Sequence, residues 1–152
     1  MRKLNEIRSA AREKRPLIHC ITNPISINQC ANTVLAAGAR PIMAEHPAEV
    51  KEITESADAL VLNLGNITDV RMKSMELSLQ AAKAKKIPVV LDAVGAACSG
   101  LRREFAARLL ATAWHIHAAF RNRRHPPHPG PREYLCPLLP SGRSPWIPSS
   151  RL

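Results

Sequence analysis

Apolar residues recur with a helical period between Lys3 and Glu13, where Leu4, Ile7 and Ala11 mark one face and Pro16 follows as a stop. The run Pro16-Leu-Ile-His-Cys-Ile21 is short, apolar and rich in branched side chains, and Asn23-Pro24 ends it, which predicts a strand followed by a turn. Ser26-Ile-Asn-Gln29 has the form of a capping box for a helix over 27–37, with Gly38 placed to close it in the left-handed conformation. Arg40–Ala44 predicts a short strand, and Pro47 suits the first position of a short helix whose apolar stripe is Val50 and Ile53. Ala59–Leu64 is apolar almost throughout, as a strand covered on both faces of a parallel sheet would be. Thr68 can cap a helix reaching Lys86, with Met72, Met75, Leu79 and Ala82 along one stripe. Pro88–Asp92 predicts another buried strand, and 101–111 another helix.

Strand and helix thus alternate four times, which places the chain in the α/β class with a mostly parallel sheet and right-handed crossovers. In open sheets of this kind ligands bind beyond the carboxyl ends of the strands. The residues that leave those ends are Asn23, Met43 to Glu45, Asn63-Leu-Gly65-Asn66 and Asp92-Ala-Val-Gly95.

Each has a functional and a purely architectural reading. Gly65 between Asn63 and Asn66 can let backbone amides approach a ligand oxygen, or can simply serve a strand-to-helix turn. Asp92 can orient a magnesium ion, or close an Asx turn. Met43 fits core filling, His19 a half-buried strand histidine, and Asn23 either a pocket amide or a turn. No phosphate-binding G-x-x-x-x-G-K-[ST], no G-x-G-x-x-G and no H-E-x-x-H occurs. His115-Ile-His117 lacks the neighbouring ligands that would complete a zinc site.

Composition changes the picture only toward the C-terminus. Residues 1–111 hold 16 Lys+Arg against 11 Asp+Glu and five of the 13 prolines, whereas 112–152 hold six Arg, no Lys, one acid and the other eight prolines. Half of the net charge of +10 therefore sits in about a quarter of the 152-residue chain, in a stretch with neither helical nor strand period. The expectation is an ordered part over 1–111 and an irregular tail over 112–152 without a packed fold. Such a tail can contact phosphates non-specifically, but its residues show no interleaved basic and aromatic pattern, so nucleic acid is not the expected partner. No apolar run reaches the roughly 20 residues of a membrane span, and the polar N-terminus lacks a signal-peptide core, which leaves a cytoplasmic protein with no membrane partner as the expectation. The four cysteines form no C-x-x-C pair and read as reduced thiols.

Read in order, PLIHCITNPISINQCANTVLAAGARPIMAEHPAEV, ALVLNLGNI and IPVVLDAVGAACSGLRREFAARLL closely resemble the N-terminal part of the hydroxyethylthiazole kinase family, over about residues 1–111. The resemblance implies a ribokinase-like fold, here truncated, and transfer of the γ-phosphate of ATP to the hydroxyl of 4-methyl-5-(2-hydroxyethyl)thiazole, with Mg2+, by a homotrimer in thiamine salvage. It implies that Asn23 and Met43, the latter within Pro41-Ile-Met-Ala44, line the thiazole pocket. By the same resemblance Asn63 and Gly65 lie beside the substrate, and Asp92 helps to organise magnesium and phosphate. Ala93 stands where many members have proline, which keeps the carboxylate and the glycine of that turn. The family's later strand, its R-G-N-x-x-E segment and its Gly-rich phosphoryl-transfer loop have no counterpart in 112–152, so the resemblance names no catalytic residue and implies an inactive chain. The abrupt loss of lysine and rise of proline, arginine and histidine read as a shifted reading frame. The alternative is a non-catalytic thiazole-binding or interaction module with a basic nucleic-acid-binding tail.

Overall fold

The computed structural model describes residues 2–112 and 116–119. The elements run α1 (Arg2–Lys14), β1 (Leu17–Ile21), α2 (Ile27–Ala36), β2 (Arg40–Ile42), α3 (Val50–Ser56), β3 (Ala59–Asn63), α4 (Asp69–Lys85), β4 (Val89–Asp92), α5 (Gly100–Thr112) and β5 (Ile116–Ala119). The five strands form one sheet in the order β2-β1-β3-β4-β5, and every pair is parallel. Each predicted strand and helix is present, so the α/β reading holds.

Chain direction decides which face each helix covers. The path from β1 to β2 moves one way along the sheet, while those from β2 to β3, β3 to β4 and β4 to β5 move the other way. With right-handed crossovers, α3, α4 and α5 then cover one face and α2 the opposite one. Burial follows this division. Leu60, Leu62, Val89, Leu91 and Ala118 point into the three-helix face and are buried, together with Met75, Leu79, Phe105 and Leu109 from the helices. Each such large side chain contributes about 1.5–3 kcal/mol by leaving water. The alternate residues Val61, Asn63, Val90 and Asp92 face the other way, where α2 buries no residue fully and Val90 stays 43% exposed.

Local signals behave as their chemistry requires, with three exceptions. Thr68 accepts from the Arg71 amide at 3.2 Å and caps α4, and Gly38 takes φ +95° after α2. Ser26, however, makes no capping bond to α2, because its hydroxyl is engaged by Thr22 Oγ1 at 3.1 Å and its own amide is held by Asn23 Oδ1 at 3.1 Å. Pro47 precedes α3 in a turn instead of opening it, since the Glu49 and Val50 amides both donate to the His46 carbonyl. The third exception concerns the boundary expected at residue 111. The stretch expected to be irregular contains β5, which pairs with β4 from Ile116↔Val89 to Ala119↔Asp92. Four residues with one buried alanine are too short a signal to stand out beside a Pro/Arg-rich run. The remainder of that run, 120–152, lies outside the described residues.

Candidate functional site

Strand order places the topological switch point between β1 and β3, because the chain leaves β1 in one direction and returns on its other side. Asn23 follows β1, Asn63 ends β3 and Asp92 ends β4, and Asn63 and Asp92 are register partners. Their side chains form one hydrogen-bonded row. Asn63 Nδ2 donates to Asp92 Oδ2 at 2.9 Å, and Asn63 Oδ1 accepts from Asn23 Nδ2 at 3.2 Å and from the Gly65 amide at 2.7 Å. Asn23 Oδ1 in turn accepts from the Ile25 and Ser26 amides, both at 3.1 Å. These bonds fix which way each carboxamide points, since an oxygen can only accept and the amide nitrogen only donate.

Gly65 is required at its position by space. A Cβ there would stand 2.7 Å from both Asn23 Nδ2 and Asn63 Oδ1, so any larger residue would break the row. Asn66 next to it has φ +50°, a left-handed conformation that Asn tolerates better than most residues. At the neighbouring strand end Gly95 has φ +79°. The row borders an open groove of about 590 Å³ between the sheet and α2, within the range of small-molecule sites. Its walls include Cys20 and Val61 from the sheet, Cys30 and Val34 from α2, and Val94 after β4. Burial pushes the Cys20 thiol up to about 11, with a smaller push from neighbouring Cys30, so Cys20 stays protonated and behaves as apolar wall. Thr22 Oγ1 lies 3.7 Å from Cys30 Sγ and ties α2 to the end of β1.

Asn23, Asn63, Gly65 and Asp92 thus come together in one groove. Met43 does not line it; this half-buried residue follows β2, on the far side of β1. His19 is completely buried, deeper than its sequence context indicates. Its Nε2 lies 2.9 Å from the Ala44 carbonyl, which can only accept, so Nε2 carries the proton; Nδ1 faces the Thr54 hydroxyl at 2.8 Å. Burial holds its pKa below the ordinary value of 6.5, against smaller opposing effects from the Ala44 carbonyl and Glu49. His19 therefore fastens the Met43–Ala44 segment to β1 and α3.

Two arginines that the sequence offers only as helix-surface charges also hold the strand ends. Arg102 of α5 donates through Nη1 to the carbonyls of Leu64 and Val94, bridging the turns after β3 and β4, and its stem lies under Gly95. Arg71 of α4 donates to Glu45 Oε2 at 2.8 Å and to the Asn66 carbonyl at 2.9 Å. Nothing in a helical period marks these positions, because only the tertiary placement of the loops turns the guanidinium groups inward.

As a metal site the row has one carboxylate, Asp92, and among the described residues no group of three or more His, Cys, Asp or Glu could hold an ion. That donor set fits Mg2+, which binds through one or two carboxylates while keeping waters and phosphate oxygens, and does not fit zinc.

Comparison with known proteins agrees with this architecture. The model of the Hydroxyethylthiazole kinase family matches residues 8–119. Hydroxyethylthiazole kinase 1 of Clostridium botulinum (strain Loch Maree / Type A3) is 57% identical over 106 residues, which cover 70% of this chain and 40% of that protein. The hydroxyethylthiazole kinase of Finegoldia magna is 44% identical over 110 residues, covering 72% and 41%. Among solved structures, the hydroxyethylthiazole kinase protein from Pyrococcus horikoshii OT3 superposes with a TM-score of 0.73 at 34% identity, over 78% of this chain and 47% of that one. The chain spans about 40% of the length of the curated relatives it matches. A match that begins in α1, runs through all five strands and ends with the last residue of β5 makes this chain a member of the hydroxyethylthiazole kinase family.

Proposed function

We propose that the chain carries the thiazole-facing part of an ATP-dependent hydroxyethylthiazole kinase, which phosphorylates the hydroxyl of 4-methyl-5-(2-hydroxyethyl)thiazole in thiamine salvage. The observation that carries this reading is the Asn23–Asn63–Asp92 row around Gly65, set in a groove at the sheet's switch point, in a chain that is 57% identical over 106 residues to a named kinase of this kind. A flat sulfur heterocycle suits the apolar wall of Cys20, Val61 and Val94, while the strand-end amides can hold its hydroxyl. In this reading Asn23, Asn63 and Gly65 shape the thiazole subsite, and Met43 contributes to the pocket from the segment after β2, a role that rests on the family resemblance alone.

Asp92 would hold Mg2+ indirectly, through water or phosphate oxygen. When bound, the ion supplies charge neutralisation for a transferring phosphoryl group. Asn63 holds the Asp92 carboxylate in a fixed direction, and Arg102 holds the adjoining turns, so the protein's contribution is orientation of that charge. ATP as co-substrate, a homotrimeric assembly and a cytoplasmic setting complete the proposal; among the described residues no helix is long and apolar enough to cross a membrane. No described residue is assigned to the nucleotide. The alternative of a non-catalytic thiazole-binding or interaction module with a basic nucleic-acid-binding tail rests on 112–152, most of which lies outside the described residues, and no observation favours it.

Isothermal titration of the 152-residue chain with hydroxyethylthiazole tests the reading. Saturable binding that weakens in Asn23→Ala and in Met43→Ala supports it. Absence of binding to the wild-type chain removes the thiazole assignment, and binding that survives Met43→Ala unchanged removes Met43 from the pocket.

A further inference from the structure

The segment after β2 and the turn after β3 lie on opposite sides of β1, so no strand pairing connects them. One side chain does. Arg71 Nε donates to Glu45 Oε2 at 2.8 Å, and its Nη1 donates to the Asn66 carbonyl at 2.9 Å. One turn further along α4, Ser74 Oγ lies 2.8 Å from the Glu45 backbone carbonyl and 2.9 Å from that of Val70, sharing its one proton between them, so Glu45 has contacts from α4 to both its side chain and its main chain. Arg71 is only 6% exposed, whereas the Glu45 side chain is 46% exposed.

The core does not need a guanidinium in this place. Burying the guanidinium carries a desolvation penalty, and replacing both members of such an ion pair by apolar side chains of similar volume is often neutral or stabilising. What only arginine supplies is a rigid planar fork with donors in two fixed directions, which a flexible ammonium cannot match. Here the two directions lead to two different loops. One loop contains Met43, two residues before Glu45; the other is the Asn63–Asn66 turn that carries the carboxamide row. Asn66 itself stands at φ +50°, a backbone state that persists where surrounding bonds enforce it.

We infer that Arg71 is a positioning residue for the groove: it anchors the Asn63–Asn66 turn, which lines the groove, to the Glu45 segment after β2 through its simultaneous bonds to Glu45 and Asn66. The inference about loop geometry rests on the contacts alone, while its effect on the thiazole rests on the function proposed above.

The experiment compares the full 152-residue chain with Arg71→Met, Arg71→Lys and Glu45→Ala, reading amide hydrogen exchange at Gly65 alongside the dissociation constant for hydroxyethylthiazole. Arg71→Met is expected to melt below wild type, because it takes the donor from the Glu45 carboxylate and the Asn66 carbonyl, to speed Gly65 exchange about tenfold and to weaken thiazole binding about tenfold, with Arg71→Lys between it and wild type because it can reach one partner only. Unchanged Gly65 exchange in Arg71→Met overturns the inference, whatever happens to binding. Faster exchange in a chain that binds no thiazole even as wild type leaves the positioning role standing and overturns the proposed ligand. Should Arg71→Met fail to fold, Glu45→Ala decides: it removes the acceptor of Arg71 Nε from a half-exposed side chain, and Gly65 exchange equal to wild type in that variant overturns the inference.

Discussion

The Asn63 carboxamide donates to Asp92 Oδ2 at 2.9 Å across a register pair of β3 and β4, and its oxygen accepts from the Gly65 amide and from Asn23. Asn63 thereby uses both ends of its amide on the protein, and its main effect on a bound ligand is to fix Asn23 on one side and Asp92 on the other.

Asn63→Leu is expected to lower stability by about 1–3 kcal/mol, because the Gly65 amide and Asp92 lose a partner at a half-buried site. Urea unfolding of the two proteins side by side measures it, and a difference below a few tenths of a kcal/mol would show that water replaces the amide fully.

Asn63→Asp sets a second carboxylate against Asp92 and gives a different signature. Two close carboxylates cannot both ionise without repulsion, so the pair has a folded-state pKa raised above its unfolded value. Stability relative to wild type is then greatest at acid pH, below the unfolded carboxylate range, and is lost as pH rises through the raised folded value. Melting temperatures from pH 4 to pH 8 should diverge from wild type with increasing pH; parallel curves would place the two carboxylates too far apart to interact.

Gly65→Ala is expected to cost about 1–3 kcal/mol and to abolish thiazole binding, since its Cβ would fall 2.7 Å from two polar atoms of the row. Gly100→Ala is the matched control, because nothing lies within 4 Å of a Cβ there and the position opens α5. That change should be neutral or stabilising by up to about 1 kcal/mol. Equal effects of the two substitutions would contradict the steric account.

His19 gives the native protein a pH dependence of its own. Burial lowers its folded-state pKa below 6.5, so the unfolded chain binds the proton more readily. Stability contributed by the neutral ring is complete above about pH 6.5 and is lost as pH falls from there toward the lowered folded value. Denaturant midpoints at pH 7.5 and pH 5.5 should differ for wild type, and His19→Gln should remove most of that difference.

We also expect the DNA downstream of codon 111, translated in the other two frames, to restore an R-G-N-x-x-E segment and a later Gly-rich loop. The compositional break after the α/β part is the motive. Recovery of neither segment in any frame would make 112–152 the protein's own sequence and remove the frame-shift account.

The path from sequence to groove was short wherever local chemistry sufficed. Apolar runs announced the strands, and Thr68 and Gly38 marked a helix start and a helix end that the structure keeps. The strand-end rule located Asn23, Asn63, Gly65 and Asp92 because parallel topology alone brings those ends together. Ser26 was misleading because Asn23 competes for the same turn, a choice made by two side chains within three residues. β5 was hidden in a segment whose composition advertises irregularity, and pairing with β4 is what makes it a strand. Arg71 and Arg102 carried no signal, since a helix-surface arginine looks alike whether it meets water, a carboxylate 26 residues away or a loop carbonyl 38 residues away in sequence.

Side chains alternate between faces along a strand, so sliding β4 by one residue against β3 would turn Asp92 toward α4 and α5 and bring Leu91 out to the groove. Val89 and Leu91 of β4 are buried in their present alignment, and exposing them in this way costs about 1.5–3 kcal/mol each. The greasy side of the sheet thus acts as a proofreader for the polar side: residues that never meet a ligand guarantee that Asn63 faces Asp92, and the groove's chemistry is error-checked by the core behind it.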